Sequence, residues 1–547
     1  MFPNFRPDQI ETLDQARETI VLLLNLVEKF KQESDVLKKK VQDLQDEVNR
    51  LKGEQGKPDI KANKNSGNSD HSSETERKQP KKRRRRHKKK NIKIDREEKL
   101  SVDQSILPED AEFKGYETVT IQDLIIKTDN VLFLKEKYYS PSLGKTYLAP
   151  LPSGYEGEFG PGIRSLIITL YYAAEMTEPK IFEFLENMGT DISKGQISNI
   201  LIKKNDSWHE EKNAIYTSGL QSSVYQHSDD TSTRVNGINQ HCHIFCNPYY
   251  SAYFTRPRKD RLTLIDILAN QLEPKFLLNE GTQTWFALFG VPQWAQTEIA
   301  QWQQKKIFTH LEFEELVRDR LDRLNKQQKS RVFEAASLTA YHNQENTPIV
   351  QLLISDDAPQ FRYITAEQAL CWVHEGRHYK KLMPIVDYHR KLLDDFTEKF
   401  WVFYRKLRDY RSKPSQKEAL ILEETFDNLF DTVTGYDDLD KRIAKTKNKK
   451  ERLLMVLKYP EIPLHNNSAE LGARRRVRKR DISFGPRTND GVESWDTFMT
   501  LVATAKKLGI SFYDYVFDRV SEAHNIPSLA EIIEQKSSLH TQFTPVF

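Results

Sequence analysis

The sequence predicts an α/β protein whose small mixed sheet carries large helical insertions, behind an N-terminal coiled coil and a helix-turn-helix. Three observations predict it. Residues 20–51 keep a 3,4 apolar repeat. Short β-prone runs at 223–231, 241–247, 251–257 and 349–355 are bounded by turns. Charged blocks with helical patterning, 259–345 and roughly 386–458, interrupt and follow those runs.

In the first segment, 1–52, the seam is Ile20, Leu23, Val27, Phe30, Ser34, Leu37, Val41, Leu44, Val48 and Leu51, with Ser34 its one polar member. Val at a and Leu at d in the second half favour parallel pairing, so a homodimer is expected. The competing reading is a single amphipathic helix packed on the body. Residues 53–95 hold too few aliphatics to bury a core and are expected to be a disordered basic linker. The linker contains KKRRRRHKKK (81–90). Lys81, Lys82, Arg83, Arg84, Arg85 and Arg86 would neutralise phosphates and give salt-dependent, sequence-blind binding to nucleic acid. A solvated linker is the alternative.

Residues 96–160 read as a small β-containing lead-in to DNA binding, with a hairpin in 129–150 turning at Ser142–Gly144. The region 161–215 opens with a helix over 163–176. Thr177 is expected to cap a second helix that has Pro179 in its first turn and Gly189 as its stop. Ser193 would cap a third, 194–204. The pair matches a helix-turn-helix, with Lys194, Gln196, Asn199, Lys203 and Lys204 set for groove and phosphate contacts. A plain packing unit has the same pattern.

Bulk properties narrow the class. The 547 residues are too many for one compact core, and 30% of them are charged, for a net charge of +4. Three cysteines, Cys242, Cys246 and Cys371, make no disulfide framework and suit a reducing cytoplasm. No secretory leader and no run of about 18 apolar residues is found, so a cytoplasmic, nucleoid-associated location is expected. HCHIFC (241–246) looks like a zinc motif, but alternation along a strand sends its side chains to opposite faces. Cys371 and His374 are a pair one helical turn apart, short of a full zinc site.

The chemistry rests on acids. LLISDDAPQF (352–361) ends a buried strand on two aspartates. Asp229 is expected at the end of an earlier strand, and Glu470 where a helix begins. Converged on one point, three carboxylates repel unless cations neutralise them, and hard oxygen ligands suit Mg²⁺ or Mn²⁺. Two such ions would serve an in-line phosphoryl displacement. Each acid has a plain alternative: strand-end carboxylates for Asp229 and Asp356, a capping box after Asn467 for Glu470.

HSDDTSTRVNG (227–237), LLISDDAPQFRY with CWVHEGRHYKKL (352–382) and IPLHNNSAELGARRRVRKRDISFG (462–485) resemble the insertion-sequence-66 family of bacterial DDE transposases. The resemblance implies an RNase H-like core, a mixed five-stranded sheet with flanking helices, split as 216–385, with an insertion at 259–345, and 459–547. A second helical insertion would fill 386–458. It implies Asp229, Asp356 and Glu470 as catalytic metal ligands, two Mg²⁺ or Mn²⁺ ions, and DNA strand cleavage and transfer at the element's terminal inverted repeats. Small accessory proteins of the same element are implied as partners. Reading the triad through Asp230 or Asp357 is the alternative, and an inactive, transposase-derived DNA-binding protein is the alternative function. Many relatives carry a cysteine-rich zinc module ahead of the catalytic domain, whereas residues 1–241 here hold no cysteine. Arg474, Arg475, Arg476, Arg478, Lys479 and Arg480, with Arg377, His378, Lys380 and Lys381, are expected to clamp DNA beside the triad.

Overall fold

The computed structural model describes residues 10, 12–51 and 94–538, apart from 109–110, 125, 271–272 and 346. The basic tract 81–90 lies outside the described residues. Helix α1 (Leu13–Leu51) is continuous over the predicted seam. Ile20, Leu23, Val27, Phe30, Leu37, Val41, Leu44 and Val48 are all exposed on it. Strands β1 (Lys137–Ser140) and β2 (Lys145–Leu148) form the expected hairpin, turning through Gly144 at φ 60°.

Four helices follow, α2 (Pro161–Tyr172), α3 (Glu178–Asn187), α4 (Lys194–Ile202) and α5 (Asp206–Gln221). Ser193 caps α4 by accepting the N–H of Gln196 at 3.1 Å. Thr177 holds the N-cap place of α3 with an extended backbone, but its side chain makes no capping bond, against expectation. Pro179, whose ring presets φ, stands in that first turn.

The main sheet is mixed, with five strands in the order β5 (Ser251–Arg256), β4 (Ile238–Cys246), β3 (Tyr225–Val235), β8 (Leu352–Ser355) and β9 (Glu367–Leu370). Strands β3 (Tyr225–Val235), β4 (Ile238–Cys246) and β5 (Ser251–Arg256) run antiparallel. β3 is longer than expected, because Asn236 (φ 46°) and Gly237 (φ 80°) make the two-residue turn that matches strand twist. Val235 therefore pairs Ile238, and the ladder continues back past Asp229. Asp229 is thus not a strand end in the simple sense.

The first insertion holds α6 (Arg261–Ala269), β6 (Phe276–Leu277), α7 (Glu280–Phe289), α8 (Gln293–Ala300), β7 (Ile307–Phe308), α9 (His310–Arg320) and α10 (Lys326–His342). It folds around its own core of Phe276, Phe286, Phe313 and Val332. Strand β8 (Leu352–Ser355) is shorter than the expected 349–355, since the N–H of Val350 goes to the Tyr341 hydroxyl at 2.9 Å. β8 and β9 (Glu367–Leu370) pair parallel with each other, and β8 with β3.

Helices α11 (Trp372–Lys380), α12 (Asp387–Tyr410), α13 (Gln416–Phe430) and α14 (Asp437–Lys447) enclose a second aromatic core around Trp372, Phe400 and Phe426. The chain continues through α15 (Asn467–Ser483), α16 (Asn489–Leu508), α17 (Phe512–Val520) and α18 (Leu529–Ser538). Phe245, Ala252 and Phe254 face a core shared with α2, α5 and α6. Cys242, Ile244, Cys246 and Tyr253 face the other way, with Ala469 and Ala473 of α15. HCHIFC is therefore a sheet strand, as expected. A Cβ on Gly472 would lie 2.9 Å from Ile244, so a glycine is what lets α15 approach the sheet here. No helix among the described residues is long and apolar enough to cross a membrane.

Candidate active site

Strand register brings the two aspartates to one edge. Parallel pairing of β3 with β8 stops at His227 and Ile354. Asp229 lies two residues beyond, and Asp356 follows the last residue of β8. Both carboxylates thus stand just past the end of the parallel β3–β8 pairing, where the two strands diverge and leave a crevice. Asp229 pairs with Ile244, whose side chain lies under α15, so Asp229 shares that face.

One buried asparagine sets α15 against the strands. Asn466 is fully buried. Its amide donates to the Ser228 carbonyl at 2.7 Å and its Oδ1 meets Nδ1 of His227 at 2.9 Å. Its backbone N–H donates to Sγ of Cys371 at 3.3 Å. Three elements are pinned together there, and Glu470 projects one turn further along α15. Burial keeps His227 neutral, its pKa pushed down to about 3 despite the Asn466 bond.

Glu470 does not form the capping box that is its plain alternative reading. α15 has Asn466 at its N-cap with no side-chain cap bond. The Glu470 carboxylate instead takes Nη2 of Arg377 at 3.1 Å and lies 3.6 Å from Nδ1 of His374. Arg377 also donates to Nε2 of His374 at 3.0 Å. Oε1 of Glu470 and Nδ1 of His374 are buried with no hydrogen-bond partner.

The charges of Asp356 and Glu470 reach the Asp229 carboxyl. Burial pushes the Asp229 carboxyl up to about 7. The N–H of Asp230 opposes this, and the charges of Asp356, Glu470 and Asp230 add to it. Asp230 and Asp357 have other partners. Asp230 accepts from Gln360 at 3.2 Å and faces Lys259 at 3.7 Å. Asp357 is ringed by Lys449 and Arg452 at 2.8 Å and Arg362 at 3.0 Å. Neither the Lys449–Arg452 clamp nor the Asn466 lock carries a local sequence signal, because their partners are distant in the chain.

Cys371, His374 and Glu470 offer ligand atoms within 4.8 Å of one another. The thiol is fully buried and pushed up to about 12, mainly by burial, and its sulfur already accepts the Asn466 N–H. It is a packing and hydrogen-bonding group rather than a ready thiolate.

The basic residues divide. Arg478 is exposed. Arg476 is fully buried, paired with Asp496 at 3.3 Å and bonded to Thr255. Lys479 is buried as well, donating to the Tyr171 carbonyl at 2.6 Å with its ammonium 3.4 Å from the Tyr171 ring centre. Arg475 bonds the Tyr172 carbonyl at 3.1 Å and pairs with Glu175. The expected clamp is corrected here: these three brace α15 against α2 and α16, and no face of Arg476 or Lys479 is open to DNA. Arg474 is half-buried. Arg377 belongs to the acidic cluster. On the helix pair, Asn199 and Lys194 are exposed, the latter over the Phe182 ring, Gln196 is half-buried, and Lys203 pairs with Asp490. Lys81, Lys82, Arg83, Arg84, Arg85 and Arg86 lie outside the described residues.

Two comparisons bear on this geometry. The sequence model of the Transposase IS66 family matches residues 352–494, which span Asp356 and Glu470. The chain is also 30% identical over 320 residues to the uncharacterized protein y4jO of Sinorhizobium fredii, covering 58% of this chain and 99% of that protein.

Proposed function

Because the chain belongs to the IS66 family of transposases, we propose that it is the DNA transposase of an insertion sequence, acting through Asp229, Asp356 and Glu470. The strand order, antiparallel through β3 and parallel from β3 to β9, is compatible with an RNase H-like core. The single observation that carries the catalytic reading is geometric: strand register sets Asp229 and Asp356 just past the end of the parallel β3–β8 pairing, and Asn466 pins the start of α15, which bears Glu470, to β3 beside Asp229. Arg377 supplies one positive charge against them. The rest of that charge, and the unpartnered Oε1 of Glu470, call for a hard cation.

Asp229, Asp356 and Glu470 would hold Mg²⁺ or Mn²⁺, as a pair of ions. When bound, these would activate the attacking oxygen and stabilise the leaving one. The protein's own part is positional. Asn466 and His227 fix α15 against β3, and Arg377 orients Glu470. In cleavage a water oxygen attacks phosphorus and the P–O3′ bond breaks. In transfer the freed 3′-hydroxyl gives up its proton and its oxygen attacks a target phosphorus, while the target's own P–O3′ bond breaks and leaves a protonated target 3′-hydroxyl. Exposed cations such as Arg478, together with the helix pair α3–α4 and the tract 81–90, would hold the DNA backbone. The exposed seam of α1 would pair with a second copy.

The test is Mg²⁺-dependent cleavage and joining of DNA that carries the element's terminal inverted repeats. Wild type should cleave and Asp229→Ala should not, with both binding DNA alike. Equal cleavage by both would overturn the assignment. Binding without cleavage by either would favour an inactive DNA-binding protein.

A further inference from the structure

Helix α1 carries a second face, opposite its seam. Val21, Asn25, Glu28 and Gln32 recur at helical spacing roughly half a turn away from Ile20, Leu23, Val27 and Phe30. That face is not free. Glu28 is 2% exposed. Its carboxylate accepts the N–H groups of Ile385 at 2.8 Å and Val386 at 2.9 Å, and lies 3.3 Å from Nδ1 of His389. Those residues form the amino-terminal end of α12, where a helix favours an anion. Gln32 donates to the same carboxylate at 3.2 Å. Burial pushes the Glu28 carboxyl up, but the Val386 and Ile385 N–H groups outweigh it and hold the carboxyl below its ordinary range.

Asn25 makes a second anchor. Its amide donates to the Gly435 carbonyl at 2.8 Å and its Oδ1 accepts the Asp437 N–H at 3.1 Å, at the start of α14. Gly435 (φ 84°) sits against Val21, a Cβ there falling 3.3 Å from a valine methyl. Three side chains of α1 thus meet the ends of two helices in the second insertion. A buried carboxylate such as that of Glu28 demands matched partners, and with the Asn25 bonds it fixes one seating of the helix.

We propose that α1 is a two-faced bracket, its polar face keyed by Asn25 and Glu28 to the insertion's helix ends and its apolar seam joined to the same seam of a second copy. The insertion is then a dock for the dimerising helix. Pairing two seams sets the two catalytic bodies in a fixed relation. A second copy is the fitting occupant because the seam is self-complementary, with aliphatic or aromatic residues at every a and d position from 20 to 48 except Ser34. The proposal rests on the dimer reading above.

The test uses the full chain, with mass from sedimentation and amide exchange read in peptides covering 385–389 and 435–437. In Glu28→Ala, exchange at 385–389 should quicken by about tenfold or more while the mass stays that of a dimer. Asn25→Ala should do the same at 435–437. The seam pair Leu37→Asp with Leu44→Asp should give a monomer that keeps protection at both places. Unchanged exchange in Glu28→Ala and Asn25→Ala would overturn the dock. Loss of protection in the seam pair would also overturn it, since the helix would then be docking on the partner. A monomeric wild type with intact protection would instead sink the dimer reading and leave the dock standing.

Discussion

Asp356 and Asp357 are adjacent at the end of β8 and differ sharply in what they hold. Asp357 sits among Lys449, Arg452 and Arg362, all within 3.0 Å. Burial pushes its carboxyl up, but Lys449 and Arg452 outweigh that and hold it low. Asp356 accepts the Ala358 N–H at 3.0 Å and, among the described residues, is in no ion pair. The first is already compensated, and the second has its charge to spare for a cation. Asp356→Asn should therefore lower cleavage by at least about a hundredfold with the fold intact. Asp357→Asn should cost about 1–2 kcal/mol of stability, discounted for partial exposure, while cleavage survives. Paired melting and cleavage assays separate the two, and interchanged phenotypes would move the ligand to Asp357.

The Asp229 carboxyl predicts a pH signature. Its folded pKa of about 7 lies above its ordinary 3.8. Between those values the folded protein keeps a proton that the unfolded chain has lost. The contribution of this group to metal-free stability is therefore fullest at low pH and falls as pH rises toward 7. Asp229→Asn should lose that slope and gain roughly 1–3 kcal/mol over wild type at pH 8 without metal. Mg²⁺ should restore the wild type and release a proton on binding, so its affinity should climb through pH 7. Parallel melting curves for the two proteins would contradict this.

Glu470→Gln separates metal ligation from mere pairing with Arg377. Glutamine keeps the shape and can still accept from Arg377, so the fold should hold with a loss under about 1 kcal/mol. A neutral amide cannot replace a charged oxygen ligand, so cleavage should fall by at least about two orders of magnitude. A folded Glu470→Gln protein that cleaves normally in Mg²⁺ would sink the triad.

Some of this was legible in the sequence for definite reasons. The 3,4 repeat of α1 and the short apolar run of β8 are local signals, and both elements form there. The length of β3 was also locally encoded, in Asn236–Gly237, yet the acidic pair at 229–230 read as a strand end and hid it. Asn466 could not be read at all. Its partners His227, Ser228 and Cys371 are far away in the chain, and only the folded sheet brings them together. The basic run of α15 misled for the same reason. Arg476 and Lys479 look like surface charge until Asp496 and the Tyr171 carbonyl, from other helices, arrive to bury them.

That misreading yields a sharp contrast within one helix. Lys479 and Arg478 are neighbours, one buried and one exposed. Burial, outweighing Glu175 and Glu178, pushes the Lys479 ammonium down to about 7, so it is a poor permanent cation as well as an inaccessible one. Lys479→Met keeps the stem volume and removes a group that costs desolvation, while the Tyr171 carbonyl loses a donor. The two effects oppose, and the net change in stability should stay within about 2 kcal/mol. Duplex affinity and its salt dependence should not move. Arg478→Ala should weaken binding to every duplex alike and flatten the slope of log affinity against log salt by about one, the mark of one lost phosphate contact. Anisotropy titrations over a range of salt read both variants. If Lys479→Met flattened the slope and Arg478→Ala did not, α15 would have to present its opposite face to DNA, and the packing of that helix on α2 would be wrong.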